Sequence, residues 1–97
     1  MNRRIRKKKQ QIKSAELWGL DLTISKFVLP RLILFKESIN SRPMGLTTQE
    51  WQEILGKMIY AFQYTIDDDK YKTLPGDYPK YEEGINLFAK YFRDLWD

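Results

Sequence analysis

Cysteine and histidine are both missing from the 97 residues. Without cysteine there is no disulfide framework and no thiolate metal site. Without histidine the commonest general base and the commonest zinc ligand go together. A Ser-His-Asp triad, a Cys-His pair and a histidine-held zinc hydrolase are therefore excluded by composition. Acid is missing from the first thirteen residues. They carry Arg3, Arg4, Arg6, Lys7, Lys8, Lys9 and Lys13, while the remaining chain has ten basic and thirteen acidic residues. The net charge of +4 thus conceals a basic arm on a mildly acidic body. A long uncharged hydrophobic run is also missing. Trp18 to Lys36 is nearly continuous apolar sequence, but Asp21, Lys26 and Arg31 interrupt it. A membrane-spanning helix needs about 20 predominantly apolar residues, so we expect no membrane segment.

What is present suits one small soluble domain, residues 16–97, behind an arm at 1–15. Aromatic residues make up 14% of the chain, enough to fill a small core and leave rings for an interface or a stacking surface. The basic start is not followed by an apolar signal core, so we read no secretory peptide and expect the protein in the cytoplasm.

The periodicity is helical throughout, and we expect an all-α fold: a small bundle of three helices, or four with a break at Pro30. The first helix starts near Asp21 as N-cap. At about 100° per residue, Ile24, Phe27, Val28, Leu32, Phe35 and Ile39 form one stripe, with Leu22, Leu29 and Ile33 beside it. Such a wide apolar arc predicts a helix covered on more than one side, central in the bundle or shared with a second subunit. Pro30 predicts a kink or break. Residues 40–46 are turn-rich. A second helix over 47–66 opens with a capping box of Thr47 and Glu50 and a hydrophobic staple of Leu46 and Trp51. Its stripe is Trp51, Ile54, Leu55, Met58, Ile59, Phe62 and Ile66. The acidic triplet Asp67–Asp69 opposes a helix C-terminus electrostatically, which places the end before it. Pro79 suits a first turn with Asp77 or Tyr78 as cap. The last helix runs over 79–96 with Tyr81, Ile85, Phe88, Phe92 and Leu95 as its stripe.

The stretches "LWGLDLTISKFVLPRLILFKE", "GLTTQEWQEILGKMIYAFQ" and "GINLFAKYFRDLWD" resemble, in order and spacing, a family of small helical proteins encoded by phages and prophages. The family pattern is W-x-L-D-x-T, then K-F-x-x-P-R-L, then L-T-x-E-E-W, then L-F-x-K-Y-F-x-x-L-W-D. The resemblance covers residues 17–97, and Gln49 replaces an acid often found there, which leaves the capping logic intact. It implies a phage protein working in the host cytoplasm, and carries no established chemistry with it.

Candidate sites follow from the residues themselves. Asp21, Lys26 and Arg31 suggest a polar cluster for an anionic ligand, Arg31 being able to fork onto phosphate or carboxylate. The plainer alternative is a cap and two solvated cations, since Lys26 and Arg31 lie roughly 140° apart on an ideal helix. Lys57, Tyr60 and Tyr64 suggest a ring on which a base stacks while a cation meets its phosphate. There the alternative is an amphipathic rim. Trp51 reads as core. Asp67–Asp69 lack the alternating ligands of a calcium loop, and Glu50 with Glu53 and Glu82 with Glu83 read as exposed acids. We therefore expect no metal, no cofactor and no catalysis. The seven arm cations suit salt-sensitive nucleic-acid binding or a simple docking tail.

Three functions compete. The first is a non-enzymatic phage accessory protein that binds and neutralises a host factor, in its sharpest form by sequestering a nucleotide immune signal. The second is nucleic-acid binding through the arm. The third is a virion assembly or structural role. In the first, self-association as a dimer or higher oligomer is expected, with a host protein or small nucleotide as partner.

Overall fold

The computed structural model describes residues 12–71 and 77–96. It is all-α, four helices packed on one another with no strand among the described residues. They are α1 (Ser14–Trp18), α2 (Leu20–Ser38), α3 (Thr48–Tyr71) and α4 (Tyr78–Lys90), followed by a 3-10 turn at Phe92–Asp94. Arg3, Arg4, Arg6, Lys7, Lys8 and Lys9 lie outside the described residues.

The start of α3 follows the local chemistry expected of it. The Glu50 amide donates to Thr47 Oγ1 at 3.0 Å, and the Thr47 amide donates to Glu50 Oε1 at 2.9 Å. Two otherwise orphaned helix donors are thereby satisfied. Leu46 packs at the edge of the core that holds Trp51.

The core belongs mainly to α3. Trp51, Leu55, Met58 and Phe62 are buried at i, i+4, i+7 and i+11, and Leu29 and Leu32 of α2 complete the cluster. Ile85, Leu87, Phe88, Tyr91 and Leu95 close it from the α4 side. The Phe88 ring meets Phe62 edge-on at 4.9 Å, and Tyr91 meets Trp51 edge-on at 5.6 Å. The buried Trp51 indole N–H has no hydrogen-bond partner among the described residues.

Centrality therefore falls to α3 and not to α2. The helix α3 packs on α2 along one side and on α4 along the other, while no Cα of α2 comes within 8 Å of one in α4. The wide apolar arc left two places for the first long helix, the middle of the bundle or a contact shared with a second subunit, and within the chain it does not take the middle. Only part of that arc is used, and only from one side. Gln52 Nε2 ties the pair by donating to the Lys36 carbonyl at 3.0 Å.

Four boundaries also differ from expectation. The helix passes through Pro30, and the break is at Gly19, where the backbone leaves helical geometry at φ −117° and ψ 60°. Proline removes one donor, but packing of Leu29 and Leu32 holds the helix on both sides of it. Asp21 is not the N-cap; it lies in the first turn behind Gly19, its Oδ1 accepting from the Leu22 amide at 2.9 Å. The acidic triplet sits inside α3, whose last turns run on to Tyr71. There Gln63 Nε2 donates to Asp67 Oδ1 at 2.9 Å, and an unfavourable dipole term of a few tenths of a kcal/mol is too small to end a helix. Finally α4 stops at Lys90 and not at 96, because the chain turns at Tyr91 (φ −105°, ψ 15°), the residue whose ring lies against Trp51.

Candidate functional site

The crossing of α3 and α4 is set by a glycine. A Cβ on Gly84 would collide with the Lys57 carbonyl oxygen and lie 2.6 Å from Ala61 Cβ. Only glycine lets the two backbones approach this closely. Beside that contact is a shallow cleft of about 520 Å³ lined by Glu53, Gly56, Lys57, Tyr60, Lys80 and Glu83. Helical spacing explains its walls. Glu53 and Lys57, and Gly56 and Tyr60, are each four residues apart along α3, beside the core stripe, and Lys80 and Glu83 are three apart on α4.

A run of tyrosine rings leads from the cleft across both helices. Tyr60 and Tyr64 of α3 are 6.3 Å apart, Tyr64 and Tyr81 of α4 are 5.0 Å apart, and Tyr81 and Tyr78 are 5.6 Å apart. Adjacent rings are tilted by 33–40°, so they offer neighbouring partial faces and not a closed stack. Tyr60 and Tyr78 are exposed.

The charges around these rings are largely balanced. Lys57 Nζ meets Glu83 Oε1 at 2.8 Å, with both side chains about half exposed. The hydrogen bond that Lys57 donates to Glu83, then the charge of Glu83, holds the Lys57 ammonium above its ordinary pKa, with a smaller contribution from Glu53. Lys80 lies 4.0 Å from Asp77. The Tyr60 phenol is pushed up by burial first, then by the charge of and hydrogen bond to Asp77. The Tyr78 phenol is pushed up mainly by the charge of Glu82. Both phenols are therefore neutral hydrogen-bonding groups at pH 7. The cleft can stack a flat ring, donate from two ammonium groups and accept at two carboxylates.

The three charges inside the apolar stretch do not converge. Asp21 is exposed in the first turn of α2. Lys26 lines a hollow at the Gly19 break together with Glu16, Trp18 and Asp69. Arg31 lies in a different groove, with Phe27, Phe35, Phe88 and Leu95. Its guanidinium is 3.7 Å from the centroid of the Phe27 ring, and its Nη1 donates to the Phe27 carbonyl at 2.8 Å. Of the sequence-derived ligand residues, Lys57 and Tyr60 share the cleft and Tyr64 extends it. Lys13 precedes α1, its amide donating to Glu16 Oε2 at 2.8 Å.

Lys80, Tyr78 and Glu83 escaped the sequence reading as site residues, and Tyr81 was assigned to the core stripe. The Tyr78–Tyr81 spacing, one turn of helix, was the available signal. Its partnership with Tyr60 and Tyr64 depends on the crossing at Gly84, which no local pattern encodes.

No group of three or more acidic residues among those described is placed to hold a metal ion. No helix among them is long and apolar enough to cross a membrane. Ser25, Ser38 and Thr65 spend their hydroxyls on helix carbonyls four residues back. No family model, curated protein or solved structure matches the chain.

Proposed function

We propose that the protein is a non-enzymatic phage accessory protein that acts in the host cytoplasm by binding and neutralising a host factor. Its ligand in this reading is a small aromatic anion of the nucleotide class, held in the α3–α4 cleft. The observation that carries the reading is the meeting of an exposed ring, Tyr60, with two ammonium groups, Lys57 and Lys80, in one concavity. A base on Tyr60 and a phosphate between the lysines would use all three. The Lys57–Glu83 pair does not forbid this. Both members are half exposed, so the pair is held weakly against a competing phosphate. A cleft of this size suits a mononucleotide or dinucleotide. Further copies of the chain belong to the same proposal as partners.

The test is thermal denaturation with and without a panel of mono-, di- and cyclic nucleotides. A ligand present at about 100 times its Kd stabilises by about 2.7 kcal/mol, a shift of several degrees for a chain of this size. Tyr60→Ala and Lys80→Ala should remove the shift while leaving the unliganded melting temperature near that of the wild type. Absence of a shift across the panel refutes the nucleotide reading.

A second reading rests on the arm, with seven cations in thirteen residues against a body of net −3. Deleting residues 1–13 abolishes nucleic-acid binding in that reading and leaves nucleotide stabilisation largely unchanged in the first. The salt slope of any DNA binding reports how many of these cations meet phosphate.

A further inference from the structure

The helix α2 has a second apolar face that none of the described residues covers. Its inner face, with Leu29 and Leu32, closes on α3. On the opposite side Leu20, Ile24, Phe27 and Leu34 are 50%, 46%, 60% and 64% exposed. With Arg31 and Ser38 they fall at 20, 24, 27, 31, 34 and 38, an unbroken alternation of four and three residues. An average of 3.5 residues marks the seam of two paired helices. The patch continues across the groove at Phe27 and Phe88 to the exposed Phe92, whose ring is 5.6 Å from Phe88.

We propose that this face is a homodimer interface in which α2 of one protomer pairs antiparallel with α2 of its partner. The proposal gives a surface to the self-association included above, and it stands whether or not the cleft takes a nucleotide. Three observations select a second copy. The first is area. At about 200 Å² for a large side chain, Leu20, Ile24, Phe27, Leu34 and Phe92 leave roughly 550 Å² open. That is about two-thirds of the ~800 Å² each partner gives to a standard interface, and the polar rim of Thr23, Arg31 and Ser38 supplies more. The second is charge. The seam holds no acid and a single cation, so two copies meet without accumulated repulsion.

The third is the place of that cation, and it sets the direction. A parallel pairing in register would put Arg31 against the partner's Arg31 in one layer. An antiparallel pairing about a two-fold axis near residue 29 instead puts Phe27 against the partner's Arg31 and Ile24 against the partner's Leu34. Each guanidinium then lies on an aromatic face, the contact Arg31 already makes with its own Phe27. The interface is isologous and closes at two subunits.

The test is the mass of the full chain by light scattering and sedimentation, without ligand, over a wide concentration range. The wild type should run at twice 11.7 kDa. Leu34→Glu and Phe27→Glu replace exposed side chains and should stay helical by circular dichroism while weakening the dimer at least ~100-fold. Met44→Glu, at an exposed hydrophobe in the turn before α3, should leave the mass unchanged. The chain has no cysteine, so Ile24→Cys and Leu34→Cys can be placed cleanly. When the two variants are mixed and oxidised, the 24–34 cross-link should dominate over 24–24 and 34–34. A monomeric wild type overturns the proposal, as does a dimer indifferent to both glutamates. A dominant 24–24 cross-link overturns the antiparallel direction. Because no nucleotide is present, none of these outcomes bears on the cleft.

Discussion

Two glycines of the α3–α4 face should respond in opposite directions to the same substitution. In a helix interior, glycine is about 1 kcal/mol less favourable than alanine, so alanine gains that much wherever its Cβ has room. At Gly56 the nearest atom to an added Cβ is Lys36 Cε at 3.8 Å, ordinary contact with the end of a flexible side chain. Gly56→Ala should therefore stabilise by about 0.5–1 kcal/mol. At Gly84 the added Cβ meets the Lys57 carbonyl oxygen in a clash and Ala61 Cβ at 2.6 Å. The obstruction is helix backbone, which cannot rotate away, so α4 must lift off α3. Overpacking of this kind costs about 1–3 kcal/mol, and the upper half applies when backbone is the obstacle. Less the helix-propensity gain, Gly84→Ala should destabilise by about 1–2 kcal/mol. For a chain of this length, 1 kcal/mol is about 4–8 °C in melting temperature. Thermal and urea denaturation of both variants would measure the contrast. Ala61→Gly in the Gly84→Ala background should recover only part of the loss, because the carbonyl contact remains. A Gly84→Ala variant as stable as the wild type would refute the close crossing, and with it the shape of the cleft.

Four other outcomes follow from the cap, the phenols and the core. Thr47→Ala removes the acceptor for the Glu50 amide and should cost about 1 kcal/mol, read by urea denaturation. The Glu50 carboxyl is held below its ordinary pKa chiefly by hydrogen bonds to the Thr47 backbone and side chain. Its contribution is present above the ordinary carboxylate range and is lost as pH falls through the lowered value. Glu50→Gln keeps the cap geometry and should flatten that acid limb of a melting-temperature profile. The Tyr60 and Tyr78 phenols are held above their ordinary value, so the native state keeps these protons longer than the unfolded chain. Stability from them is complete below the ordinary tyrosine pKa of 10.0 and is lost as pH rises beyond it. Tyr60→Phe should reduce the alkaline fall, and an unchanged profile would contradict the Asp77 contact. Leu55→Ala empties the middle of the core and should cost about 2–5 kcal/mol, a loss large enough to unfold a small domain at 37 °C.

How much of this was legible in the sequence depends on how local each cause is. The Thr47–Glu50 box was readable because its donors and acceptors lie within four residues. The core stripe of α3 was readable because it is a repeat. The end of α3 was not, because the acidic triplet argued from a small electrostatic term against continued helix hydrogen bonding. Pro30 was read as a kink or a break because one lost donor is visible in sequence, whereas the packing of Leu29 and Leu32 that keeps the helix continuous is tertiary. The cleft was half legible. Lys57, Tyr60 and Tyr64 sit on one helix, but Lys80 and Glu83 reach them only through the crossing at Gly84.

The apolar stretch from Trp18 to Lys36 shows how a sound pattern can leave the covering partner open. Its wide arc is real, but α3 covers only the side bearing Leu29 and Leu32. The three charges are tolerated because none is buried: Asp21 and Lys26 are exposed, and Arg31 lies along the Phe27 ring on the outer side. Two leucines two residues apart separate the faces. Leu32 is 4% exposed and Leu34 is 64% exposed. Leu32→Ala should cost about 2–5 kcal/mol at any protein concentration, because it opens a cavity against α3. Leu34→Ala removes nothing from the core. In dilute protein it should stay within about 0.5 kcal/mol of the wild type, as surface substitutions do. If α2 pairs with its partner, the wild type gains stability with concentration by mass action, and Leu34→Ala should lose that gain. Melting curves over a hundredfold concentration range therefore separate the faces. An equal, concentration-independent loss at both positions would mean that residue 34 is also core, and that the outer seam does not exist.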